Sequence, residues 1–492
     1  MKSVKLVASI CLISVFGCSS GSTQPGDGTS GNGSVSGISS GDNGGSGVGG
    51  SGNVAGSGTQ TGSGTGSLSG SSGGSGTGAS GGSPSGGSSG SGSGSSMLPP
   101  SDAGTGVMVA PDGAITAPPD VAGCGSSKFY KTSDNLAVAG PWPVGVQTTQ
   151  LMLSGVMANV EIWYPAKLGS DQGQTAATYD LRSWLPKGQA MLIPDSANKV
   201  ATCNCYRGLP LDTSHGPYPG VIFIHGTGSF RIASLSTMTS WASRGFVVVA
   251  ADHPGLFLTD FLASGNCQGG GTGTANASGT LNLADVDAEV TAMTGKSGGF
   301  AFLGSSLDMT RIGVSGHSQG ASGAASASSR PGVPNVQVDM PLADLGGTIP
   351  TGSALKSVLF MGGANDSVVS YSSDVSAYTG STAAKKRVVG ITAGDHLDVT
   401  DLCYQTNSMG KTAIQVADQY NVCGTGAPSA ALTLLNGLAK CGNVMPPIAG
   451  PEIVNYATTA ALEETLHCVN RDAAFSALKS TYPQVSDFQH MP

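Results

Sequence analysis

Positive charge is scarce in this chain: 22 of its 492 residues are Lys or Arg, against 30 Asp and Glu. No basic run occurs, and with a formal charge of −8 the composition argues against a nucleic-acid partner. Long apolar runs are lacking as well. The stretch from Leu6 to Phe16 is too short to cross a bilayer as a stable helix. From Ser19 to about Ser96 apolar side chains nearly vanish, leaving mostly Gly, Ser, Thr and Asn. So little apolar surface cannot offset the entropy of ordering, which predicts a disordered tether. A proline-containing stretch, Pro99 to Pro119, finishes a linker assigned to 19–122. Roughly 80 flexible residues span about 50 Å on average. No second closely spaced Cys/His pair accompanies Cys203 and Cys205, which argues against zinc, and no metal or cofactor is expected.

What is present begins with Met1-Lys2-Ser3-Val4-Lys5, the apolar run and Gly17-Cys18, the layout of an export signal over 1–18. Val15-Phe16-Gly17-Cys18 resembles the lipobox of bacterial lipoproteins. That resemblance implies acylation of Cys18 and attachment to a membrane of the cell envelope; an ordinary cleaved signal and a secreted chain is the alternative. Beyond Cys11 and Cys18 stand eight cysteines: Cys124, Cys203, Cys205, Cys267, Cys403, Cys423, Cys441 and Cys468. An even count in an exported chain predicts up to four disulfides. Cys203 and Cys205 are so close in sequence that each is expected to bond elsewhere.

Residues 123–492 suffice for one large domain. Val160–Tyr164 reads as an early antiparallel strand. Short apolar runs follow at 220–224, 246–251, 311–316, 357–361 and 386–391, separated by helical stretches at Leu283–Met293, Ser318–Ser329 and about Tyr371–Tyr378. Strands buried on both faces and alternating with helices predict an α/β fold with a doubly wound, mainly parallel sheet. The segment Gly265 to Gly279 reads as a long loop over the end of the sheet, of the kind that shapes binding sites. Ligands in such folds sit beyond the C-terminal strand ends.

Gly316-His317-Ser318-Gln319-Gly320 matches the G-x-S-x-G nucleophile elbow, between a predicted strand and a predicted helix. A serine there needs a base. His396 follows a strand in Ala393-Gly394-Asp395-His396-Leu397. The other histidines fit less well: His225 precedes a turn, His253 comes too early in the chain, and His317 is expected to point into the sheet. His215, His467 and His490 lie outside any strand end. For the acid that orients the imidazole, Asp366 follows the strand at 357–361, and the order Ser318, Asp366, His396 is that of α/β-hydrolases. Asp339 and Asp344 compete for this role, while Asp395 and Asp398 read as solvated or capping groups. Oxyanion donors are expected from the backbone N–H groups of Gln319 and of Thr227, in His225-Gly226-Thr227-Gly228.

His225 to Arg231, with Trp241 to Val249, resembles platelet-activating-factor acetylhydrolase-like enzymes. Leu307 to Ile312 and Gly363 to Val368 resemble the cutinase and polyester-hydrolase branch, related to dienelactone hydrolases. The resemblance covers roughly 135–480. It implies an α/β-hydrolase fold, a serine carboxylic-ester hydrolase working through an acyl-enzyme, and a small or lipid-like ester substrate. Acetylhydrolase-like members place the acid where Asp339 lies, cutinase-like members where Asp366 lies. Two alternatives are an amide-cleaving peptidase with the same triad, and a non-catalytic binding protein on a hydrolase scaffold. The C-terminal cysteines suggest an elaboration beyond the minimal fold.

Overall fold

The computed structural model describes residues 108–109, 115–264, 267, 279–423, 441 and 449–491. The export signal, Cys18, the tether as far as residue 107 and all of Gly265–Gly279 except Cys267 and Gly279 lie outside the described residues.

Among these residues ten strands share one sheet: β1 (Val144–Leu153), β2 (Val156–Pro165), β3 (Tyr206–Arg207), β4 (Tyr218–Ile224), β5 (Val247–Ala251), β6 (Leu307–His317), β7 (Val336–Leu342), β8 (Ser357–Gly363), β9 (Lys385–Ile391) and β10 (Val485–Met491). Their order is β10-β9-β8-β7-β6-β4-β5-β2-β1-β3. The run from β5 through β9 is parallel; β2 pairs antiparallel with β5, β1 with β2, and β10 with β9. The predicted mainly parallel α/β architecture is what forms.

Both faces of the sheet are covered, which is why its central strands read as unbroken apolar runs. Along β4, Val221 and Phe223 join one core, with Met238 and Trp241 of α1 (Leu235–Ser243) and Ile453 and Leu462 of α5 (Ala449–Leu466). Ile222 and Ile224 point the other way, toward Val286 and Val290 of α2 (Leu283–Gly295) and Ala324 and Ala327 of α3 (Gln319–Ala327). Two further helices, α4 (Tyr371–Gly380) and α6 (Asp472–Thr481), flank β8 to β10.

Two expectations need correction. Cys203 and Cys205 bond to each other, with Cα atoms 5.1 Å apart. An extended chain would hold them farther apart, but both residues pair with Ala177: the Cys203 N–H donates to its carbonyl and its N–H donates to Cys205 O. That bulge brings the sulfurs together. The other pairs are Cys124–Cys468, Cys267–Cys423 and Cys403–Cys441, giving four disulfides from eight cysteines. The second correction concerns the linker. Asp120–Ala122 pairs antiparallel with Lys128–Tyr130, and Asp120 bonds His215 Nε2 at 3.0 Å, so ordered structure begins before residue 123.

Candidate active site

Ser318 follows the last residue of β6 and stands immediately before α3, at φ 58° and ψ −122°. A side chain at that φ costs on the order of 1–3 kcal/mol, and the surroundings must hold it there. Its N–H donates to the carbonyl of Leu342, at the end of β7, at 2.9 Å. The flanking glycine is a steric necessity: a Cβ on Gly320 would stand 2.2 Å from the Ile224 carbonyl oxygen. The result is a hydroxyl at a helix N-terminus on the C-terminal edge of the sheet. Ser318 itself is 7% exposed.

The turn after β4 lies against this serine. A Cβ on Gly226 would come within 3.1 Å of Ser318 Cβ and of His317 Nδ1. Among the described residues, the N–H groups of Thr227 and Gln319 donate to no protein acceptor. His225 is fully buried and bonds at both nitrogens: Nδ1 donates to Gly226 O at 2.8 Å, and Nε2 accepts the His253 N–H at 3.2 Å. The Gly226 carbonyl and the Thr227 N–H belong to one rigid peptide plane. Fixing the carbonyl therefore aims the N–H. Burial holds the His225 pKa below its ordinary value, which keeps the ring neutral and its Nε2 an acceptor. Farther along, the buried Arg231 guanidinium pairs with Glu161 (3.2 Å) and Asp252, and Asp252 also accepts from the Arg231 N–H and the Trp184 indole. Neither Arg231 nor the His225 ring stands out in the sequence; the one local hint is a charged Arg231 among apolar residues just after the turn.

His396 follows β9 and is 2% exposed. Its Nδ1 lies 2.8 Å from Asp366 Oδ2, and the second carboxylate oxygen accepts the N–H groups of Val368 and Val369, each at 2.8 Å. Both oxygens are thus occupied and the carboxylate cannot swing away. The bond assigns the Nδ1 proton and leaves Nε2 with a lone pair. The competing carboxylates are elsewhere. Asp339 is buried in mid-strand on β7, and burial followed by the charge of Asp344 pushes its pKa far up. Asp344 closes the turn after β7 through Ser322, Gly346 N–H and Thr348 N–H. Asp395 and Asp398 cap the His396 turn, accepting from His396 N–H and Asp395 N–H respectively.

Contrary to expectation, His317 does not simply point into the sheet. Its Nε2 donates to the His396 carbonyl at 2.9 Å, and the two ring centroids are 4.7 Å apart. A buried N–H needs an acceptor, and the carbonyls along the strands are already paired. This contact brings the His396 loop to the elbow. Among the described residues the His396 ring bonds Asp366, and no hydrogen bond joins it to the Ser318 hydroxyl.

A strained serine between β6 and α3, next to the β4 turn, with a histidine–carboxylate pair beyond β8 and β9, is the arrangement of one enzyme superfamily. Residues 128–255 match the family model described as platelet-activating factor acetylhydrolase, isoform II. The chain has the α/β-hydrolase fold, and its 128–255 segment is similar to that esterase family. The matched segment runs from before β1 to just past β5, so it contains Thr227 but not Ser318, Asp366 or His396. A ferulic acid esterase from Streptomyces cinnamoneus superposes on this α/β-hydrolase with a TM-score of 0.46 and 17% identity, over 71% of this chain and 96% of that one. No curated protein is significantly similar to it in sequence.

Proposed function

We propose that this α/β-hydrolase cleaves carboxylic esters of small or lipid-like molecules through an acyl-enzyme on Ser318. The observation that carries the reading is the His396–Asp366 bond beside the elbow, with the carboxylate locked by two backbone N–H groups. In the first half-reaction, Ser318 Oγ attacks the ester carbon while His396 Nε2 takes its proton. The carbonyl electron pair collects on oxygen, facing the N–H groups of Thr227 and Gln319. The C–O bond to the alcohol then breaks, and His396 passes the proton to the departing oxygen. Water, deprotonated by the same ring, attacks the acyl carbon and returns Ser318 and the carboxylic acid. Asp366 keeps the Nδ1 proton in place and stabilises the imidazolium that forms twice per cycle.

Hydrolysis of p-nitrophenyl esters of graded chain length tests the proposal, with Ser318→Ala as control. Turnover that survives Ser318→Ala would rule it out. Amide substrates run alongside distinguish a peptidase, and no turnover on either class points to a binding role. We further propose that acylation at Cys18 holds the enzyme to the cell envelope, a reading supported by Gly17-Cys18 after the short apolar run. Mass analysis of the wild type and Cys18→Ala tests it; identical N-termini would refute it.

A further inference from the structure

His317 touches both halves of the site. It occupies the variable position of the elbow next to Ser318, its ring is almost fully buried, and its Nε2–H donates to the carbonyl of His396 at 2.9 Å. On its other side, Nδ1 has no partner among the described residues and faces the oxyanion turn, 3.1 Å from where a Cβ on Gly226 would stand. We infer that His317 is a positioning residue for the base: its Nε2–H fixes the peptide that carries His396, setting where the imidazole stands relative to Ser318 Oγ. The inference rests on the ester-hydrolase reading above.

The chemistry favours this assignment over simple core filling. An apolar side chain would fill the space beside Gly226 as well as an imidazole does, but it would leave the buried His396 carbonyl without a donor. The proton must be on Nε2, because that nitrogen meets a carbonyl, which only accepts. Burial first, and the neighbouring His396 ring second, lower the His317 pKa to about 3, so the ring is neutral throughout the neutral range. A second cation therefore does not form beside His396 when that ring takes the serine proton. His396 has its side chain fixed by Asp366 and its backbone fixed by His317, two restraints from opposite sides.

Three variants in the full-length protein test the inference, assayed on p-nitrophenyl acetate after confirming that Ser318→Ala abolishes wild-type turnover. In His317→Leu, kcat should fall about tenfold to a hundredfold with KM nearly unchanged, the signature of a misplaced reacting group and not of lost binding. His317→Gln places an amide N–H near the position of Nε2 and should recover most of that loss. His317→Asn is too short to reach the carbonyl and should not. If the leucine variant fails to fold, the Gln and Asn pair still decides, since both are polar and differ in reach. Wild-type kcat in His317→Leu, or equal losses in all three variants, would overturn the positioning role. Turnover that persists in Ser318→Ala, or is absent from the wild type, overturns the ester reading instead and takes this inference with it.

Discussion

Arg244, directly after α1, donates through Nε to Glu463 Oε1 on α5 at 2.7 Å, and neither side chain reaches solvent. Arg471 donates to the other oxygen of the same carboxylate, and Arg244 also donates to the carbonyls of Ser133 and Val138. One carboxylate thus ties the segment before β1, the end of α1 and the C-terminal helices together. The Cys124–Cys468 disulfide joins the same regions.

Removing the acid while leaving its two guanidinium partners buried should be severe. Glu463→Ala is expected to cost about 3–5 kcal/mol, read as a lower midpoint in urea. Burial alone would raise the Glu463 pKa, but Arg244 and Arg471 outweigh it and hold the group below its ordinary 4.5. The stability it contributes is present above that value and fades as the pH falls through the lowered one. The gap between wild type and variant should therefore narrow in acid. A gap independent of pH would contradict the account.

Ser318 offers a cleaner separation of stability from activity. Its left-handed φ is unfavourable for any residue with a Cβ. Ser318→Gly should lose all ester turnover and yet melt higher than wild type, by a margin corresponding to roughly 1 kcal/mol. Equal or lower melting would show that the elbow carries no strain.

The two candidate acids predict opposite outcomes. Asp366→Asn should reduce kcat by about 10⁴, because an amide no longer selects the productive tautomer of His396. Asp339→Asn should leave kcat near wild type. Buried Asp339 has its pKa raised well above 3.8, so the native state favours its neutral form, and stability is lost as the pH climbs from that value toward the raised one. Asparagine cannot ionise, and its melting advantage over wild type should grow with pH over that interval. A large kcat loss at Asp339 would transfer the acid role to it.

The His225 ring and the Ser229 N–H both bond Gly226 O, whose peptide carries the Thr227 N–H, and the ring makes the shorter bond. His225→Phe keeps the bulk and removes the donor. The expected result is a fall in kcat approaching the 10²–10³ of a lost oxyanion donor, about a hundredfold, with little change in KM. Unchanged kcat would mean that the turn is held by other contacts, such as those of Arg231.

Much of this was readable from local pattern. The central strands β4 to β6, β8 and β9 announce themselves because burial on both faces demands continuous apolar residues. β1 did not, since its burial alternates in its second half and Thr148, Gln150 and the apolar Met152 occupy the exposed positions, so the residue types do not follow the burial. Polar β10 was equally silent: Ser486, Asp487, Gln489 and His490 give no strand signal, and the strand exists because β9 offers an unpaired edge. Elbow, turn and histidine each lay at a strand end that could be located from the sequence.

Composition and short-range spacing were enough to assign the α/β class and to nominate Ser318, Thr227, Gln319 and His396, because strand burial and turn sterics are decided within a few residues. Asp366 was nominated too, by chain order, but the hydrogen bond that joins it and not Asp339 to His396, the Cys203–Cys205 bond, and the orienting rings of His225 and His317 emerged only on folding. Each depends on directions and distances between segments far apart in the chain, and a hydrogen bond a few ångströms long leaves no trace in residue order.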